Sequence, residues 1–257
     1  MLKIRVIPTL LWKGFGLVKG IAFNSWRRVG TVLPALKVYN ARDVDELVLV
    51  DITASQEGRA PDHESVADFS DECSVPLTVG GGICDLQQIV QLLSAGADKV
   101  NINSALFEAP DLVDRAAFRF GTQCVVVGID VRRNADGTYA VFSHSGTRHT
   151  NKEPRAWARE LAARGAGEIL LTSIDRDGTM QGYDLQLVQD ITSSVDIPVV
   201  ASGGAGTYED MVQVIKQAGA SAVAAASIFH FTEQTPAGAK HALQAAGVPV
   251  RHTFVAV

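Results

Sequence analysis

Four aspartates stand at or just past the end of a short apolar run: Asp51, Asp130, Asp175 and Asp177. A carboxylate in such a place can hold a substrate hydroxyl or move a proton. Asp130 closes a run of six apolar or small residues, where partial desolvation raises a carboxyl pKa toward a useful value. Asp177 lies in the polar loop DRDGT at 175–179, with Gly178 for close approach of an anion. Asp175 and Arg176 in the same loop read equally well as a local ion pair. Glycines concentrate at 80–82 and 203–204, each followed by a helical pattern. Turns stripped of side chains let backbone N–H groups approach an anion, and a helix N-terminus favours it. Asn103 with Ser104, and Ala226 with Ser227, add small groups beside these turns. The predicted phosphate-binding set is therefore Gly81, Gly82, Asn103, Ser104, Gly178, Gly203, Gly204, Ala226 and Ser227. Two such cradles suit a long substrate with a phosphate at each end. His144, alone in a hairpin-like insertion at 139–147, reads as ordinary surface. No histidines have metal-ligand spacing, so neither a metal nor another cofactor is predicted, and no Ser-His-Asp arrangement is legible.

The elements that must position these groups follow from hydrophobic pattern. Apolar, β-branched runs occur at 4–7, 47–50, 76–79, 99–102, 124–129, 168–172, 197–201 and 221–225. They are too short for buried helices and too uniformly apolar for half-exposed strands, as a helix-covered parallel sheet requires. Between them apolar residues recur at helical spacing, as in Leu86, Ile89, Val90 and Leu93, or Tyr208, Met211, Val212 and Ile215. Asp85 with Gln88 and Thr207 with Asp210 read as helix caps. Gly96, Gly165 and Gly219 read as left-handed helix ends. Eight strands alternating with helices predict a single (β/α)8 barrel over 1–257, with an open doubly wound sheet as the alternative.

The chain also repeats itself. VPLTVGGG at 75–82 resembles IPVVASGG at 197–204, Ser104 falls opposite Ser227, and ELVL at 46–49 matches EILL at 168–171. Two half-barrels, about 1–120 and 121–257, are expected. Composition agrees with a cytoplasmic enzyme. A net charge of −5 argues against a nucleic-acid binder. Three widely spaced cysteines make no disulfide framework. No apolar run reaches the length of a membrane span, and the N-terminus enters a strand without a signal-peptide core.

Together DITAS at 51–55, VGGGI at 79–83, GADKVNINS at 96–104, GID at 128–130, GEILLTS at 167–173, DRDGT at 175–179 and ASGG at 201–204 resemble the cyclase subunit of imidazole glycerol phosphate synthase. The resemblance runs from about residue 2 to residue 251. It implies a ribulosyl substrate with two phosphates, ammonia as co-substrate, a lyase and ring-closure reaction, and a glutaminase partner docked on the N-terminal face of the barrel. It implies acid/base catalysis by Asp130; Asp130 and Asp177 are the predicted catalytic residues, and Lys19, Asp51 and Thr172 are expected to contact substrate. Arg5, Glu46, Lys99 and Glu168 match a ring of charges through which ammonia is admitted.

One position departs. The family's second catalytic aspartate belongs to a Pro-Cys-Leu-Asp context at the end of the first strand, where this chain has Pro8, Thr9, Leu10 and Leu11. The internal repeat independently makes Leu11 the counterpart of Asp130. The residues after it, 13–19, read as an intact Gly-rich loop ending in Lys19. Leu11, and the GTRHT segment at 146–150, resemble paralogues that serve amidino-sugar synthesis for surface polysaccharides. The expectation is therefore an ammonia-using paralogue, with the histidine-pathway cyclase and a non-catalytic ammonia conduit as alternatives.

Overall fold

The computed structural model describes residues 3–14, 16–42 and 44–251. The strands are β1 (Arg5–Lys13), β2 (Gly16–Ile21), β3 (Asn24–Gly30), β4 (Leu47–Asp51), β5 (Leu77–Gly80), β6 (Lys99–Ile102), β7 (Val125–Arg133), β8 (Tyr139–Ser143), β9 (Arg148–His149), β10 (Glu168–Ser173), β11 (Val199–Ser202) and β12 (Ala222–Ala225). Eight of them pair in parallel in the order β10-β11-β12-β1-β4-β5-β6-β7, and β7 pairs back to β10, so the sheet closes. Helices fill the connections, and the result is a (β/α)8 barrel. All eight predicted apolar runs are barrel strands. They were legible because such strands are buried on both faces: by helices outside and by one another's side chains in the bore. The bore is filled by Ile7, Val48, Val126, Leu170, Val200, Ala222 and Ala224, separately from the larger shell between strands and helices.

Local signals behave as their chemistry demands. Asp85 accepts from the Gln88 backbone N–H at 2.8 Å, capping the helix Leu86–Ser94. Thr207 and Asp210 form a reciprocal capping box on the helix Tyr208–Ala218, which Gly219 ends in the left-handed conformation (φ +73°). Gly96 and Gly165 lie one residue beyond the C-caps Ala95 and Arg164 of their helices, also at positive φ.

The segment 13–19, expected as a loop, is different. β1 runs on past the barrel rim to Lys13, and β2 turns back along it with Leu11 opposite Val18; β3 completes an antiparallel arm. The second half does the same: β7 runs on to Arg133, and β8 pairs with it, Asp130 opposite Phe142. Apolar and polar residues mix on such two-faced arms, so pattern alone hid the first of them.

Candidate functional site

At the C-terminal ends of the barrel strands, one cavity collects the predicted residues. Leu11, Lys19, Asp51, Asp130, Thr172 and Asp177 line it together with Gly81, Gly82, Asn103, Ser104, Gly178, Gly203, Gly204, Ala226 and Ser227. They come from both halves of the chain, and strand register shows how. Leu11 pairs with Val50 across β1 and β4, and Asp130 pairs with Thr172 across β7 and β10. The pairing of the first two strands in each half is thus superimposable, and Leu11 occupies the place of Asp130.

The glycine turns also correspond. Gly81 and Gly82 (φ +106° and +74°) match Gly203 and Gly204 (φ +90° and +110°). A Cβ on Gly81 would collide with the Asp51 carbonyl, and one on Gly204 with the Gly182 carbonyl. Glycine is therefore demanded twice over, by dihedral angle and by backbone approach. Beside each turn a short helix begins, Ser104–Phe107 and Ser227–Phe231. The residue before each has the same unusual backbone: Asn103 at φ −136°, ψ −84°, and Ala226 at φ −129°, ψ −65°. The cavity is thus lined by two glycine turns and by the first residues of two short helices, places where backbone N–H groups lacking intrahelical partners suit an anion. The Ser227 hydroxyl is buried without a hydrogen-bond partner among the described residues.

Asp130 sits on β7 with Oδ2 accepting from Asn103 Nδ2 at 2.8 Å. Burial pushes its carboxyl up to about 7; the Asp177 carboxylate adds to this, while hydrogen bonds from Asn103 and Thr172 restrain it. Such a group is poised to give or take a proton near neutrality. Lys19 and Asp177, far apart in sequence, form an ion pair of 2.6 Å with both side chains buried. The Ala22 N–H donates to the Asp177 carbonyl at 2.8 Å, so the first arm is tied to the 175–179 loop. The charge of Lys19 reaches His230 on the helix Ser227–Phe231, whose pKa falls to about 4 through burial first and Lys19 second.

Other aspartates are spent on structure. Asp51 Oδ1 accepts from the Thr53 and Ala54 backbone N–H groups at 3.0 and 3.1 Å, and Oδ2 takes both guanidinium nitrogens of Arg59 at 3.1 Å. It lines the cavity with its carboxylate already engaged. Asp175 accepts from the Arg133 backbone N–H at 2.7 Å and lies 3.9 Å from Arg132, not against Arg176. His144 donates its N–H to the Ser104 hydroxyl at 3.0 Å, holding a cradle residue from the second arm. Sequence reasoning missed Phe23, Trp26, Asn101 and Ser145, which also line the cavity. Asn101 was legible as the neighbour of Asn103 two residues along a strand. Phe23 and Trp26 ride on the first arm, for which no pattern signal existed, and Ser145 lies in the hairpin-like insertion expected at 139–147.

At the opposite, N-terminal end of the bore, Arg5, Glu46, Lys99 and Glu168 meet. Arg5 Nη1 lies 2.6 Å from Glu46, and Arg5 also pairs with Glu168. Lys99 Nζ is 3.0 Å from both glutamates. Each cation touches both anions, so the four close into an alternating ring, with Thr78 Oγ1 donating to Glu46 at 2.7 Å. Burial works against the Glu168 charge, but Arg5 and then Lys99 hold its carboxyl below the usual range. The ring and the cavity thus lie at the two ends of one bore.

Among the described residues no helix is long and apolar enough to cross a membrane. The histidine biosynthesis protein family matches the chain over residues 5–235. An imidazole glycerol phosphate synthase subunit HisF of Hyphomonas neptunium is 50% identical over 251 residues, covering 98% of this chain and 99% of that protein. A protein of the same description from Gluconacetobacter diazotrophicus is 47% identical over 253 residues, covering 98% of each. With its closed barrel, paired glycine turns and charged ring, the chain belongs to the histidine biosynthesis protein family, alongside imidazole glycerol phosphate synthase HisF subunits.

Proposed function

We propose that this chain is the ammonia-using, cyclase-type subunit of a glutamine amidotransferase system, acting on a phosphorylated substrate in a branch that serves amidino-sugar synthesis rather than histidine synthesis. The observation that carries the departure is Leu11, at the strand position equivalent to Asp130 and lining the same cavity. A leucine neither accepts nor gives a proton, and losing a positioned acid/base group costs about 10²–10⁴-fold. Asp130 is then the one acid/base carboxylate flanking the reacting centre, and Asp177 with Lys19 the charged pair beside it. The two glycine turns, with Ser104 and Ser227, bind the phosphates. The reading assigns no role to a metal or cofactor.

Ammonia reaches the cavity from the N-terminal end, past the ring of Arg5, Glu46, Lys99 and Glu168. A glutaminase subunit docks on that face and supplies it, in a cytoplasmic setting. A second reading, the ordinary histidine-pathway cyclase, is favoured by identity near one half along almost the whole chain.

The test is to give the purified chain high ammonium salt and the ribulosyl bisphosphate-type substrate of the ordinary enzyme. No turnover is expected from the natural chain, and Leu11→Asp is expected to restore some. Turnover at ordinary rates with Leu11 in place would overturn the proposal and establish the second reading. Failure of Leu11→Asp to gain any activity would sink the argument that one missing carboxylate separates the two chemistries.

A further inference from the structure

A second cleft lies outside the main cavity and shares none of its lining residues. It is walled by Arg133 and Tyr139 of the second arm, by Arg176 and the residues up to Gln186 that follow β10, and by Asp210 and Gln213 in the helix Tyr208–Ala218.

The charges of this cleft are unequally committed. Both Asp184 oxygens accept from the Tyr139 hydroxyl, at 2.8 and 3.0 Å, and Oδ1 also caps the helix Leu185–Thr192 through the Leu187 N–H at 3.1 Å. Asp210 Oδ2 accepts from the Gly206 and Thr207 N–H groups at 3.0 and 2.8 Å. Both carboxylates thus sit at helix N-termini, where the helix dipole opposes their charge. The guanidiniums are held differently. Arg133 Nε donates to the Gly137 carbonyl and Arg176 Nη1 to the Gln181 carbonyl, each at 3.1 Å. Arg133 also lies over the Tyr139 ring, 5.5 Å from its centroid. Neutral carbonyls and a ring fix where these groups point and leave their charge unanswered. Asp175, which is close by, is taken by Arg132 and the Arg133 backbone N–H. Among the described residues neither Arg133 nor Arg176 forms an ion pair, although both line one cleft.

The cleft also adjoins the loop that serves the main cavity. Arg176 precedes Asp177, the partner of Lys19. The Gly182 N–H, in the cleft wall, donates to the carbonyl of Gly204 in the second glycine turn at 2.8 Å.

We propose that this cleft is a second anion site, separate from the glycine turns, which takes a small dianion whose carboxylate or phosphate oxygens meet Arg133 and Arg176. A guanidinium presents paired N–H donors that match such oxygens in one plane, which a lysine ammonium does not. The inference stands apart from the substrate reading of the main cavity.

The test is a titration of the full chain at pH 7 with two probes, succinate and inorganic phosphate, at an ionic strength held constant with chloride. Arginine Nε–H signals in NMR report the cleft, and Arg133→Lys and Arg176→Lys assign them. With at least one probe both signals are expected to saturate together, with a single dissociation constant in the millimolar range or below. Saturation by succinate alone identifies a dicarboxylate ligand, and saturation by phosphate alone a phosphate. Each lysine variant keeps the charge and loses the paired donors, so affinity should fall at least about tenfold. Undiminished affinity in either variant would mean a general positive field and overturns the inference, as does the absence of a saturable shift with both probes. A response to phosphate at the glycine turns with none at the two arginines overturns it too, while leaving the proposed function standing.

Discussion

Asp130→Asn should make the protein more stable above neutrality and leave it unchanged in acid. The carboxyl of Asp130 has an ordinary value of 3.8 and is pushed to about 7, chiefly by burial. Folding therefore favours its neutral form. Its contribution to stability is fully present below about pH 3.8, declines as pH rises toward 7, and is lost above that. At about 1.4 kcal/mol per pH unit, the full span amounts to about 4 kcal/mol. Asp130 is half-buried at the edge of the cavity, and screening by water there trims this to about 2 kcal/mol. An asparagine keeps the shape and can still accept from Asn103 Nδ2, yet never ionises. The assay is thermal unfolding of the full chain and of Asp130→Asn from pH 4 to pH 8.5. The two should coincide near pH 4, and the variant should melt about 4–8 °C higher at pH 8. A pH-independent difference, or a variant less stable at pH 8, would refute the claim that burial holds this carboxyl neutral. The expected loss of activity in the same variant would then be the counterpart of a gain in stability, as strained functional groups generally show.

Two further outcomes follow from the ion pairs. Lys99→Ala leaves Glu46 and Glu168 sharing Arg5 alone, which should cost about 1–3 kcal/mol in urea unfolding. In the complex with a glutaminase it should lower glutamine-driven activity while sparing activity driven by added ammonium; equal loss in both would contradict the gate. Asp177→Asn strands the buried Lys19 ammonium, so a loss of about 3 kcal/mol is expected at pH 7. Urea unfolding of the variant checks this, and an unchanged midpoint would contradict the claim that the pair is a buried one.

The sequence by itself determined the barrel, because parallel strands buried on both faces announce themselves as unbroken β-branched runs. It determined the glycine turns as well, since Gly81 and Gly204 stand where any Cβ would meet a backbone carbonyl. The repeat also made Leu11 the counterpart of Asp130, because register in a closed barrel is fixed by the same alternation that fixes the core. Tertiary structure decided what each polar group is free to do. Asp51, Asp130, Asp175 and Asp177 look alike at the ends of apolar runs. In the fold, Asp51 is consumed by Arg59 and two backbone N–H groups, and Asp175 by the second arm. Asp177 meets a lysine from the other half of the chain, and Asp130 faces the cavity held by Asn103 and Thr172. The first arm was invisible because its pairing is local and two-faced, whereas the second was legible as a hairpin-like insertion at 139–147. A hydrogen bond or an ion pair depends on distances between residues remote in sequence, and only the closed barrel sets those distances.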